Sequence, residues 1–354
     1  MQTKYLDRAT LLASISSIVL FASPCAFAQA DDSDSAVSQA GAVELTYDHT
    51  QSGQDVVAAT IEYGLGVRIA DGWTIHMDAV VEPVEDPLTD VAFHSEDAYI
   101  ETLSLQYSGE NFSVYAGKIN PVFGSAADLA PGLYGAEIGE AYQITEQTGF
   151  GGDISLSSLL GFDGEYVLSA AVFTADRSFL SGSLGGHRNR VLLSDGGLAN
   201  TSELKSYAVS LDGSLENGFG YSVGYRHLAS ETPGEADESM TVAGVSYAFP
   251  EDLGFSLATM AEVGMSRDAD GNDGANRDFY TAAAEIGFGD WFVNVVASGW
   301  NENAVAGDLD LRKFEVSIGR NLTDDLTLEF GAQDARFGGE SETILGLRLS
   351  YSFG

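Results

Sequence analysis

The chain has 354 residues and carries 53 Asp plus Glu against 16 Lys plus Arg, a formal net charge of −37. That acidity argues against nucleic acid as a partner, because its phosphates would be repelled, and the single cysteine excludes a disulfide framework. A content of 44% hydrophobic residues, with 41 Gly, 15 Tyr and 19 Phe, equally excludes a disordered acidic tail.

Residues 1–30 read as a secretory signal peptide. Lys4 and Arg8 supply a positive start, an apolar run extends from Leu11 to Phe21, and Ala26-Phe27-Ala28-Gln29-Ala30 offers small-residue cleavage sites. The run is too short to cross a bilayer as a helix. Cleavage near Ala28 or Ala30 would remove Cys25, so residues 31–354 must be stabilised without disulfides.

The body shows no sustained helical period, but period two recurs along it. Sixteen strands are expected, near 42–49, 56–69, 73–82, 96–108, 111–118, 150–157, 165–174, 204–214, 219–228, 239–249, 254–265, 279–288, 291–300, 312–320, 326–334 and 343–353. In the second, Val57, Ala59, Ile61, Tyr63, Leu65, Val67 and Ile69 share one face, against Glu62, Gly64, Gly66 and Arg68 on the other. The last strand opposes Leu345, Leu347, Leu349, Tyr351 and Phe353 to Gly346, Arg348, Ser350 and Ser352. Glu101 breaks the alternation of the fourth.

A soluble β-sandwich also alternates. Three features favour a transmembrane antiparallel β-barrel instead. Segments of about ten residues suit a tilted strand crossing a bilayer better than the usual five or six. The polar faces carry charges in mid-strand. Aromatics gather at segment ends, notably Trp73, Phe219, Phe249 and Trp291, with Tyr351 and Phe353 closing the last strand, as an interfacial girdle requires. Tight turns such as Ala70-Asp71-Gly72 and Gly289-Asp290 alternate with longer polar links at 83–95, 119–149, 175–203, 229–238, 266–278, 301–311 and 335–342. Short turns on one rim and long loops on the other are the barrel signature.

With its sixteen strands, this loop rhythm and a terminal Tyr351-Ser352-Phe353, the chain resembles the Gram-negative general porins over essentially all of residues 31–354. The resemblance implies an outer-membrane barrel, a homotrimer, and passive diffusion of small hydrophilic solutes. It also implies a C-terminal aromatic read by the barrel-assembly machinery, which Gly354 displaces by one place here. Finally, it implies that the loop at 119–149 folds into the lumen as a constriction. That stretch is unusually apolar for a surface loop, although the Pro-Glu-Phe-Gly-Gly motif common in general porins is absent.

Strand parity puts Arg68, Arg226, Lys313 and Arg348 on the pore wall, together with Glu62, Asp78, Glu262 and Glu285. The loop would add Asp128, Glu137, Glu140 and Glu146. Loop acids facing wall bases would set up a transverse field across the eyelet, as the resemblance implies, and the acid excess predicts a cation-leaning pore. Acidic outer loops suit divalent bridging to lipopolysaccharide in the surrounding lipid. Asp268, Asp270 and Asp273 superficially match a calcium loop, but the EF-hand pattern needs Gly and Glu where Asp273 and Phe279 stand. No cofactor is implied. The five histidines are scattered, and an enzyme would need a pairing such as His227 with Ser230 or His94 with Ser95. Besides general diffusion, two readings stay open: a porin specific for a sugar, siderophore or other nutrient, and a secreted or surface all-β binding protein without a pore.

Overall fold

The computed structural model describes residues 36–85, 89–157, 161, 164–250, 254–304 and 307–354. The expected signal peptide lies outside these residues. Alternating sequences form sixteen long strands: β1 (Val37–Thr50), β2 (Asp55–Ala70), β3 (Trp73–Pro83), β4 (Glu96–Ser108), β5 (Phe112–Ile119), β6 (Gln147–Ser155), β7 (Glu165–Ala175), β8 (Ser206–Ser214), β9 (Phe219–Leu228), β10 (Glu238–Ala248), β11 (Ser256–Arg267), β12 (Asn276–Phe288), β13 (Trp291–Asn303), β14 (Leu309–Asn321), β15 (Leu326–Phe337) and β16 (Glu340–Phe353). Each pairs antiparallel with its sequence neighbours, and β1 pairs with β16 from Gly41↔Phe353 to Thr50↔Ile344, which closes the barrel. A two-residue strand, Val91–Ala92, adds in parallel to β2.

All sixteen expected strands are present. The largest differences lie at the long-loop rim, where hairpins extend further than hydropathy suggests. The polar link expected at 335–342 is a two-residue turn, Gly338-Gly339, with both residues at positive φ. Backbone pairing there does not need an apolar face, so a polar stretch can still be strand.

Closure puts one face of every strand outward. Val43, Leu45, Val223, Val263, Phe314, Val316, Ile318, Leu345, Leu347 and Leu349 are exposed, while Glu44, Asp48, Glu62, Glu262, Glu315 and Glu329, on the opposite parity, are buried. Glu101 is inward despite its phase because the β3–β4 register shifts there: Asp78 faces Thr102 and Ala79 faces Ile100. This bulge inserts one residue and brings Glu101 and Thr102 to the same side.

The aromatics expected at an interface do lie on one rim, that of the short turns. Trp73 packs on Tyr107 at 5.1 Å, Phe249 on Tyr247 at 4.5 Å and Tyr351 on Phe353 at 6.3 Å between ring centroids. Trp291 lies under the Arg320 guanidinium at 5.3 Å, and Phe219 opens β9 opposite Tyr247.

Candidate functional site: a loop across the lumen

The chain between β5 and β6 turns into the barrel. It carries two single-turn helices, α1 (Ala126–Leu129) and α2 (Glu137–Glu140). They pack backbone to backbone at Gly139, where a Cβ would stand 2.2 Å from the Ala127 nitrogen.

Buried wall carboxylates hold the loop by its main chain. Glu262 on β11 accepts hydrogen bonds from Ser125 N at 2.7 Å, Ser125 Oγ at 2.8 Å and Ala126 N at 3.1 Å, and from the Tyr142 hydroxyl. Glu315 on β14 accepts from Leu133 N at 2.6 Å and Tyr134 N at 3.0 Å. Gly132 sits against the Glu315 carboxylate at φ +103, a conformation and a closeness that suit only glycine. The Tyr134 hydroxyl donates to Asp48 on β1.

Under these polar staples lies a dry seat. Phe123, Ala126, Ile138, Tyr142 and Ile144 of the loop join Met240, Val242, Phe279, Val296, Trp300, Leu311 and Phe337 of the wall in one buried cluster. Tyr142 meets Phe279 edge-on at 5.1 Å, and Trp300 meets Phe337 at 5.8 Å. Fully burying each large apolar side chain contributes about 1.5–3 kcal/mol. Parity alone treats the inward face as wet throughout; over β10–β15 it also carries these apolar side chains, packed in one cluster with those of the loop.

The neck of the loop is tied down separately. Asn120 donates to Glu101 at 2.9 Å and accepts from Glu146 N at 2.7 Å. Lys118, which sequence parity did not single out, is 4% exposed; its ammonium donates to Glu146 at 2.7 Å and to the carbonyls of Ile100 and Leu180 at 2.6 and 3.0 Å. Arg188 also bonds Glu146. It comes from the longest connection, residues 176–205. That connection supplies a wall element: Leu184 N donates to Ala98 O at 2.8 Å, along the part of β4 above Leu103, where pairing with β5 has stopped.

The four expected wall bases do different things. Arg226 bonds Glu238 and the Tyr142 carbonyl. Lys313 bonds Glu137. Arg348 donates to Glu329 at 2.6 Å and to the Gly132 carbonyl at 3.0 Å. Arg68 is exposed near the short-turn end of β2. Lys313 therefore touches its loop acid, Glu137, as Lys118 touches Glu146, with no water-filled gap between the opposite charges. A base left unpaired in a confined lumen would be costly, and these side chains are long enough to reach a carboxylate.

Among the cavities that border the loop, two share one of its acidic residues. One lies between the loop and β2–β5 and is lined by Glu62, His76, Asp78, Glu101 and Asp128. The other, beneath it, is lined by Glu44, Asp128, Glu137, Glu140, Glu285, Asn294, Glu329 and Arg348. Asp128 belongs to both, which places it where they meet. Enclosure by the surrounding wall, and then the charges of Glu262 and Asp212, push its carboxyl up to about 6, although water reaches it. Enclosure also raises the Glu140 carboxyl well above the usual range, reinforced by Glu137.

Asp268, Asp270 and Asp273 do not make a cation cage. Asp268 Oδ1 accepts from Gly274 N at 2.8 Å and Asp270 is paired with Arg277 at 2.7 Å; among the described residues no group of three or more His, Cys, Asp or Glu is placed to hold a metal. Neither serine–histidine pairing forms a nucleophile and base: Ser230 Oγ donates to Glu235 and Ser95 Oγ to Glu85, both at 2.9 Å.

A closed sixteen-stranded barrel with a loop folded into its lumen is the porin fold. The porin of Rhodopseudomonas blastica, in a mutant form, superposes with a TM-score of 0.56 at 12% identity over 90% of this chain and all of that one. The anion-selective porin of Comamonas acidovorans gives 0.56 at 12% over 90% and 99%. The outer-membrane channel DcaP of Acinetobacter baumannii gives 0.57 at 12% over 90% and 97%. No protein-family model matches the sequence, and no curated protein matches it.

Proposed function

We propose that this chain is an outer-membrane porin of a Gram-negative bacterium, passing small hydrophilic solutes by passive diffusion and favouring cations. The observation that carries the reading is the pair of acidic cavities meeting at Asp128, in a lumen where Lys118, Arg226, Lys313 and Arg348 are each engaged by a carboxylate. Fixed charge in a confined channel biases the local ion concentration, and here the surplus is negative. In this reading residues 1–30 direct export and are removed, Phe353 serves the barrel-assembly machinery, acidic outer loops lie among lipopolysaccharide, and the barrel works as a homotrimer. It is a conduit and not an enzyme.

Purified protein in a planar bilayer should give stepwise conductance and, in a KCl gradient, a reversal potential of the sign for K⁺ preference. A silent bilayer or a Cl⁻-preferring potential would refute the corresponding part. Heat-modifiable migration in detergent gels separates a closed barrel from a pore-less sandwich.

Asp128 makes the selectivity pH-dependent. Its carboxylate is charged above, and neutral below, a midpoint of about 6, so K⁺ preference should fall as pH is lowered through that value. Asp128→Asn should show the weaker preference at every pH, with the step near that midpoint gone. A variant that keeps the step would assign it to another group.

A further inference from the structure

One buried carboxylate joins the outer rim to the in-folded loop. Glu238, the first residue of β10, is 3% exposed. Its Oε1 accepts from the Arg226 guanidinium of β9, and its Oε2 accepts from Asp270 N at 2.9 Å. The buried Arg226 also donates to the Tyr142 carbonyl and lies over the Phe123 ring at 5.2 Å. It therefore touches the loop both where it enters the lumen and where it leaves.

Asp270 belongs to the β11–β12 connection on the outer rim, in the turn Ala269–Gly271. This turn is not a slack surface link. Ala269 and Ala275 are buried, and the Gly271 carbonyl accepts from Ala236 N at 2.9 Å. Asp268 and Asp270 stand at φ +55 and +54, a region sparsely populated by residues with a side chain, which persists where the surroundings fix it. Two groups fix it here. Glu238 holds the Asp270 backbone, and Arg277 holds the Asp270 carboxylate at 2.7 Å. Arg277 in turn bonds Glu302 at 2.8 Å and lies over Trp300 at 4.8 Å, part of the apolar seat of the loop.

We propose that Glu238 is a positioning residue for the constriction: it passes the conformation of the outer turn 268–272 to the in-folded loop through Arg226, so that the aperture is set in part from the outer face. A buried guanidinium does not part from its carboxylate without a large penalty, so a shift of Glu238 carries Arg226, and with it the Tyr142 carbonyl. Glu238 lines neither of the two cavities that share Asp128, so it acts on solutes through the loop. The inference rests on the porin reading only in equating the position of the loop with the aperture of the pore.

Single-channel recording of an outer-turn variant tests the link. Asp270→Pro removes the N–H that Glu238 accepts, cannot hold φ +54, and lies outside the sheet. It should raise the ratio of time at secondary conductance levels to time at the main level by at least about tenfold, since a charge-assisted hydrogen bond is worth at least that ratio. Glu238→Gln should act in the same direction, and the double variant should fall short of the product of the two single effects. Asp273→Ala, an exposed change in the same connection, should keep the levels of the parent. Limited proteolysis in detergent reads the loop without conduction. Cleavage within residues 119–149 should quicken by a similar factor in Asp270→Pro, because it follows the released population, while heat-modifiable migration is kept. If Glu238→Gln yields no folded barrel, Asp270→Pro decides alone. Parental levels and parental cleavage in Asp270→Pro would overturn the link, as would a double variant that shows the full product or an equal change in Asp273→Ala. Conductance with neither change rejects the link and leaves the porin reading standing. A barrel that never conducts, yet whose loop cleavage quickens in Asp270→Pro and Glu238→Gln, would do the reverse.

Discussion

Glu262→Ala should release the in-folded loop and raise the single-channel conductance. Glu262 is 2% exposed and receives two backbone N–H groups and two hydroxyls from Ser125, Ala126 and Tyr142. Alanine strands all four donors in a dry part of the lumen. Each unsatisfied buried donor costs about 1–3 kcal/mol, so docking should weaken by about 3 kcal/mol or more. That changes the ratio of docked to released loop by about a hundredfold. The apolar seat of Phe123, Ile138 and Tyr142 opposes release, so Glu262→Ala,Glu315→Ala, which also strands the Leu133 and Tyr134 amides, should give the larger increase. Released loop should become cleavable by protease while the barrel keeps its heat-modifiable migration. Unchanged conductance and protection in the double variant would show that the apolar seat alone holds the loop.

Lys118→Met should lower the temperature at which the folded band is lost in unboiled gels, and it should do so through the wall rather than the lumen. The ammonium of Lys118 lies between Glu146 at 2.7 Å and Asp176 at 3.4 Å. It also joins β4, through the Ile100 carbonyl, to the Leu180 carbonyl of the 176–205 connection. Methionine preserves the packing of the stem but leaves Asp176 without its cation and Glu146 with Arg188 alone, and breaking a buried ion pair costs about 3–5 kcal/mol. Because Leu184 pairs with Ala98 in the wall interval that β5 leaves unpaired, the first cleavage in limited proteolysis should fall within residues 176–205. Glu146→Gln should be milder, since Asp176 remains to balance Lys118. A Lys118→Met barrel as heat-resistant as the parent would mean that the seam is held by backbone pairing.

The charged residues divide cleanly by what made them readable. Glu62, Asp78, Glu262 and Glu285 alternate with aliphatic neighbours in uninterrupted strands, so parity alone places them inside. Lys118 escaped that rule because it stands beside Gly117, whose φ of +142 marks a local departure from regular strand geometry, and its partners come from residues 28 and 58 positions further along. Glu101 escaped because a bulge shifts the register, and hydropathy carries no signal for a one-residue insertion. The loop acids were recognisable as a group, from an apolar connection where a polar one was expected. Their division into Glu137 and Glu146, which pair with bases, and Asp128 and Glu140, which face the cavities, depends on which wall strand each one meets.

By itself the sequence determined the number of strands, their parity and the two kinds of rim, because alternation and turn chemistry are local and repeat sixteen times. It also determined that the negative charge must lie off the apolar outward face, since period two separates the faces before any strand pairs. Contacts between distant segments put Lys313 and Lys118 against loop acids instead of opposing them across water, and they make part of the inward face of β10–β15 a dry seat. They likewise make two acidic cavities meet at Asp128. Those outcomes arise where a loop folds against strands far away in the chain, and such contacts leave no periodicity for a sequence to carry.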